Sequence, residues 1–159
     1  MSTFKRAIAA LAAVVVSGCG VTSSPADGLR FSAPAGWQAS PGIMGFMQFW
    51  KPPGREDEVL MLFKSPKPLK PSEVFSGNDL QGTVKNVTVK QSSSIRICDN
   101  QPALLMQAEG KSSRGEDDLV DMVMTNAAAT TYFALYVRPV AGQSDPSALA
   151  ALRELCSKK

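Results

Sequence analysis

The residues of this 159-residue chain whose types could do chemistry are three cysteines, 14 acids and a short run of methionine and aromatic side chains; histidine is absent. Without imidazole there is no Ser-His-Asp or Cys-His nucleophile, no histidine metal ligand and no imidazole acid or base near neutral pH. The densest acidic group is Glu116-Asp117-Asp118 with Asp121, a chemistry that holds hard cations. Its spacing misses the calcium-loop pattern of alternate ligands, a glycine sixth and a glutamate twelfth, so it reads as the solvated start of a strand. No G-x-S-x-G elbow or phosphate-cradling glycine loop occurs, and residues 19–159 hold no Ser-x-x-Lys motif. These absences predict a non-enzyme with no catalytic residue, no metal and no cofactor.

The run Ile43-Met44-Gly45-Phe46-Met47-Gln48-Phe49-Trp50 concentrates flexible and aromatic side chains. Such a mixture suits an adaptable apolar contact surface, and it suits a core equally well. Met44, Phe46, Met47 and Phe49 are the candidate partner-binding residues on the first reading. Pro68-x-x-Pro71 could form a polyproline II ligand, although a stiff surface connection between a strand and a helix explains it as well.

The N-terminus reads as an address. Lys5 and Arg6 precede an apolar run from Ala7 to Val16, then the small residues Ser17 and Gly18 stand before Cys19. This is the order of a secretory signal, and the run is too short to cross a bilayer core of about 30 Å. Val16-Ser17-Gly18-Cys19 resembles the lipobox of bacterial lipoproteins. The resemblance implies cleavage before Cys19, which would carry a thioether diacylglycerol and an N-acyl chain such as palmitate, together a firm membrane anchor. An ordinary signal peptide with a chance cysteine is the other possibility. Gly20 in place of an aspartate after the cysteine implies, in a Gram-negative cell, the periplasmic face of the outer membrane.

The expected organisation is therefore a cleaved signal at 1–18, a lipidated flexible linker at 19–28 and a single domain at 29–159. Losing Lys5 and Arg6 takes the 17 basic residues to 15 against 14 acids, a net of +1, and removes the case for a nucleic-acid partner. With Cys19 lipidated, Cys98 and Cys156 remain as an even pair in a secreted chain and read as a disulfide, two buried thiols being the alternative.

The elements that must position these residues follow from periodicity. Arg30 to Ser32 and Gln48 to Lys51 read as short strands. Val59 to Phe63 is a continuous apolar run that suits a strand covered on both faces. Pro71 to Gly77 suits a short helix. From Val84 to Ile97 the odd positions Val87, Val89, Ile95 and Ile97 are apolar, with a bulge or turn expected at Gln91 to Ser94. Asp99-Asn100-Gln101-Pro102 signals a turn, and Ala103 to Ala108, Leu119 to Thr125 and Thr131 to Arg138 complete an antiparallel meander. Val120, Met122 and Met124 share one face, as do Phe133, Leu135 and Val137. Asp145 is a plausible cap and Pro146 a first residue for a closing helix whose buried stripe is predicted to carry Leu149, Leu152 and Cys156.

This order, with Phe31-Ser-Ala-Pro34-Ala-Gly36-Trp37, the strand pair around Cys98-Asp-Asn-Gln-Pro102-Ala103 and the Thr131-Tyr132 strand, resembles the Mog1/PsbP-like superfamily. The resemblance implies an α+β fold, an antiparallel sheet flanked by helices in an α/β/α sandwich, with the C-terminal helix packed on the sheet. It also implies binding or assembly in place of chemistry. The expectation is a membrane-anchored module that binds an envelope protein, or else a small-ligand carrier with a pocket between sheet and helix.

Overall fold

The computed structural model describes residues 28–42, 46–75, 79–80 and 83–157. In chain order the elements are β1 (Leu29–Arg30), β2 (Gln38–Pro41), β3 (Phe46–Lys51), β4 (Val59–Ser65), α1 (Pro71–Val74), β5 (Asp79–Leu80), β6 (Val84–Ile97), β7 (Gln101–Ser112), β8 (Asp117–Ala127), β9 (Thr130–Pro139), α2 (Pro146–Leu152) and β10 (Cys156–Ser157). Eight strands form one sheet in the order β2-β3-β4-β9-β8-β7-β6-β5, every neighbouring pair antiparallel. β1 and β10 pair separately, Leu29 opposite Ser157 and Arg30 opposite Cys156.

The central strands are apolar on both faces, which fixes two cores. Leu60 and Leu62 of β4, Val123 of β8, and Tyr132, Ala134 and Tyr136 of β9 face one side, where Leu29, Phe31, Ala148, Ala151, Leu152 and Leu155 cover them. Met61, Val120, Met122, Met124, Phe133, Leu135 and Val137 face the other, a methionine-rich side closed in part by Phe75. The continuous run of β4 and the alternation of β8 and β9 thus lie as the sequence predicts. Asp145 caps α2 by accepting the Ser147 N–H at 2.9 Å, with Pro146 in the first turn.

Three expectations are corrected, and one strand stands where none was expected. β6 is one continuous strand, and its register shifts between Lys85 and Thr88 and again between Val89 and Gln91. Each bulge changes the parity of the residues beyond it, so the odd positions do not share a face. Val87 packs on the methionine-rich side, Ile95 and Ile97 on the other, and Val89 is 44% exposed. Cys156 is not on the helix: α2 ends at Leu152, the Arg153 and Glu154 amides close on the Ala150 and Ala151 carbonyls, and the cysteine begins β10. The helical cover is slighter than a sandwich requires, a four-residue α1 and a seven-residue α2 that packs on β9 and β8. Finally β2, not foreseen, is an edge strand exposed at all four positions, so no buried alternation marks it.

Candidate functional site

The chemistry on the methionine-rich side gathers where β3, β4, β9 and β8 meet two connections. The first, 52–58, is anchored through the sheet. Arg55 bonds Glu58 at 2.9 Å and Asp145 at 2.9 Å, and the buried Tyr136 hydroxyl donates to Glu58 at 2.8 Å. Burial and the Glu58 carboxylate push the Tyr136 phenol up to about 12. The carboxyl of Asp145 is held below its usual range by bonds from Ser147 and Arg55 that outweigh its burial. This network fixes the loop that presents Glu56 and Asp57.

The second connection, the turn from β7 to β8, is held by Ser112. Its Oγ accepts the Arg114 N–H at 3.2 Å and the Glu116 N–H at 3.1 Å, while Gly115 supplies the positive φ of 83° that the turn needs. Lys111 and Asp117 pair across its mouth at 2.6 Å.

Between the two connections lies a hollow of about 460 Å³, within the range of small-molecule sites. Phe49, Val59, Met61 and Val137 form its apolar floor; Lys51, Glu56, Asp57, Arg114 and Glu116 form its rim. Asp118 lines it from the start of β8, on the same face as Val120 and Met122, and is 5% exposed. Burial, followed by the nearby Glu116 and Asp57 carboxylates, raises its pKa to about 6.

The acidic group divides: Glu116 and Asp117 are exposed at the start of β8, as the solvated reading expects, whereas the other two acids depart from it. Asp118 and Asp121 are both buried and, three positions apart on a regular strand, face opposite sides. Asp121 is answered by Gln107 at 2.8 Å and Arg138 at 3.4 Å. The pattern held a signal for Asp118: it extends the alternation Val120, Met122, Met124 by one step, but its polar type reads as surface.

A larger hollow of about 590 Å³ surrounds the disulfide, lined by Arg30, Asp99 to Pro102, Asn126 and Ser157. Its charged groups Arg30 and Asp99 are exposed to solvent, so it lacks the buried charge that distinguishes the Asp118 hollow.

Of the residues predicted to act, Cys19 and Met44 lie outside the described residues, as does the side chain of Phe46. Cys98 and Cys156 are joined in a disulfide, their Cα atoms 5.7 Å apart. It staples β10 to the turn between β6 and β7, not to the helix as expected. Met47 and Phe49 are half-buried on opposite cores, so the two do not form one contact patch; Phe49 alone reaches the Asp118 hollow.

No family model matches the chain, and no curated protein does. Solved structures do. The solution structure of cyanobacterial PsbP (CyanoP) from Synechocystis sp. PCC 6803 superposes with a TM-score of 0.55 at 16% identity, over 84% of this chain and 87% of that one. A crystal structure from Bacteroides thetaiotaomicron VPI-5482 superposes with a TM-score of 0.59 at 13% identity, over 86% of this chain and 47% of that one. The chain spans about half of that second protein. At such identities the likeness is one of fold. The chain carries a PsbP-like fold, a mostly antiparallel sheet with a short C-terminal helix packed upon it.

Proposed function

We propose that this chain is a membrane-anchored extracytoplasmic lipoprotein that works by binding, as a protein-binding or envelope-assembly module, and catalyses no reaction. The observation that carries the reading is the Cys98–Cys156 disulfide: such bonds persist in oxidising compartments, where a signal of the kind at residues 1–18 delivers a chain. The lipobox-like Val16-Ser17-Gly18-Cys19 supports attachment through lipid on Cys19, on the periplasmic face of the outer membrane in a Gram-negative cell. Two measurements test it together. The mass of the mature N-terminal peptide should show a triacylated Cys19, and the anchored protein, cross-linked in its own membrane, should capture a protein in fixed ratio. An unmodified Cys19 overturns the anchor, and no cross-linked protein overturns the protein-binding role.

A second reading, a carrier of a small ligand, is favoured by the hollow at Asp118. That hollow lies on the face of the sheet opposite α2, whereas a pocket between sheet and helix was expected.

A further inference from the structure

We propose that the hollow at Asp118 binds a small organic cation, its amine or guanidine paired with the Asp118 carboxylate and its apolar body lying on Phe49, Val59, Met61 and Val137. The proposal rests on the second reading above, that this hollow receives a small ligand.

Asp118 carries the argument through contrast with Asp121. Both are buried, 5% and 4% exposed. Asp121 has an arginine and an amide within reach. No hydrogen bond or ion pair among the described residues reaches the Asp118 carboxyl. A buried carboxylate is ordinarily paired, because the desolvation of an unpaired one is recovered nowhere else in the fold. Arg114 is the chain's cation that acts on this carboxyl, and it does so without forming an ion pair, being turned to Glu116 instead; a direct partner is left to a ligand.

The charges facing this carboxyl from each packed element have the sign to attract one. Glu56 and Asp57 stand on the loop after β3, Glu116 on the turn before β8 and Asp117 at the first position of β8, where it pairs with Lys111. The two cations of the rim are engaged: Lys51 pairs with Glu56 at 3.5 Å and bonds its carbonyl at 3.1 Å, and Arg114 lies 3.9 Å from Glu116. An incoming cation meets a field of net negative sign; an anion is repelled.

The floor decides which cation. Calcium takes six to eight oxygens and magnesium keeps much of its water, whereas among the described residues no three acidic side chains converge closely enough to hold a metal ion, and the floor beneath them is apolar. A hydrocarbon or aromatic body attached to the charge gains contact area there. Below about pH 6 Asp118 takes up a proton, and the pairing with a cation is lost. At pH 5 about a tenth of the carboxyl is ionised, so the affinity falls about tenfold from its value at pH 8.

The test uses three probes with one body, phenylbutylamine, phenylbutyrate and phenylbutanol, titrated into the full chain in its oxidised, unlipidated form and followed by backbone amide shifts. The amine should shift Asp118, Val59 and Met61 and bind at least about tenfold more tightly at pH 8 than either companion. Its advantage over the alcohol should shrink about tenfold at pH 5 and vanish in Asp118→Asn, with melting curves confirming that the variant is folded. The alcohol binding the hollow as tightly as the amine, or Asp118→Asn binding the amine as tightly as the parent, overturns the cation assignment and leaves a small-ligand site standing. No probe shifting the lining residues overturns the small-ligand reading itself.

Discussion

The Tyr136 hydroxyl donates to Glu58 Oε2 at 2.8 Å inside the core and at the same time accepts the Asp145 backbone N–H at 3.1 Å. One oxygen thus joins the center of β9, the loop before β4 and the cap of α2. Tyr136→Phe deletes that oxygen, leaving the buried Glu58 with Arg55 alone and the Asp145 N–H without its acceptor. The expected loss is about 2 kcal/mol, since a buried polar group left unsatisfied costs about 1 to 3 kcal/mol. Urea denaturation of parent and variant checks this; a loss below about 0.5 kcal/mol would count against the network as a clamp.

The disulfide has a similar joining role at the other end of the helix. Reduction frees Cys156, and with it β10 and the pairing of Arg30 opposite Cys156. For a sequence separation of 58 residues the chain-entropy estimate is about 4 kcal/mol. The midpoint in denaturant should fall accordingly when Cys98 and Cys156 are both replaced by serine, and addition of reductant should then have no further effect. A double variant as stable as the oxidised parent refutes a structural bridge.

How much of this was legible in the chain depended on whether a feature is set locally or by a distant partner. Asp145 and Pro146 state the start of α2 because capping involves only adjacent residues. Val120, Met122 and Met124 state a face because β8 runs without a bulge. The two bulges of β6 arise from its match to β7, which no count along β6 contains, and so Val87 and Ile97 were assigned to one face and lie on two. Cys156 fits the helical spacing, yet the chain leaves the helix to pair with β1, a residue separation of more than a hundred. Asp118 was missed at the site for a different reason: its position on the apolar face was readable, but a buried carboxylate without a partner runs against the rule by which polar residues are placed outside.

Gly110 explains one of those bulges. A Cβ built on it would lie 2.9 Å from the Lys85 carbonyl oxygen and would run into the Val84 side chain. β6 crosses here in contact with the backbone of β7, a closeness that only glycine permits. Gly110→Ala should cost about 1 to 3 kcal/mol by overpacking, read from denaturant midpoints. The amide shifts should change along Val84 to Thr88 while α2 is undisturbed; a variant of unchanged stability would show that β6 yields freely.

The pH dependence of stability isolates Asp118. Its carboxyl titrates near 6 in the folded chain and near 4 when unfolded, the ordinary value for an aspartate. Between those pH values the folded state holds the extra proton. Stability contributed by this group is therefore full below about pH 4, falls as pH rises toward 6 and stays lost above it. Asp118→Asn keeps the size and removes the charge, so parent and variant should melt alike near pH 4 and diverge by pH 7, the variant melting higher by on the order of 4 °C. Phenylbutylamine should narrow the gap at pH 7 by stabilising only the parent, because a ligand that binds the native state alone raises its melting temperature. A gap that is constant from pH 4 to 8 would mean that the carboxyl is solvated in the folded chain, and the case for a missing counter-charge would go with it.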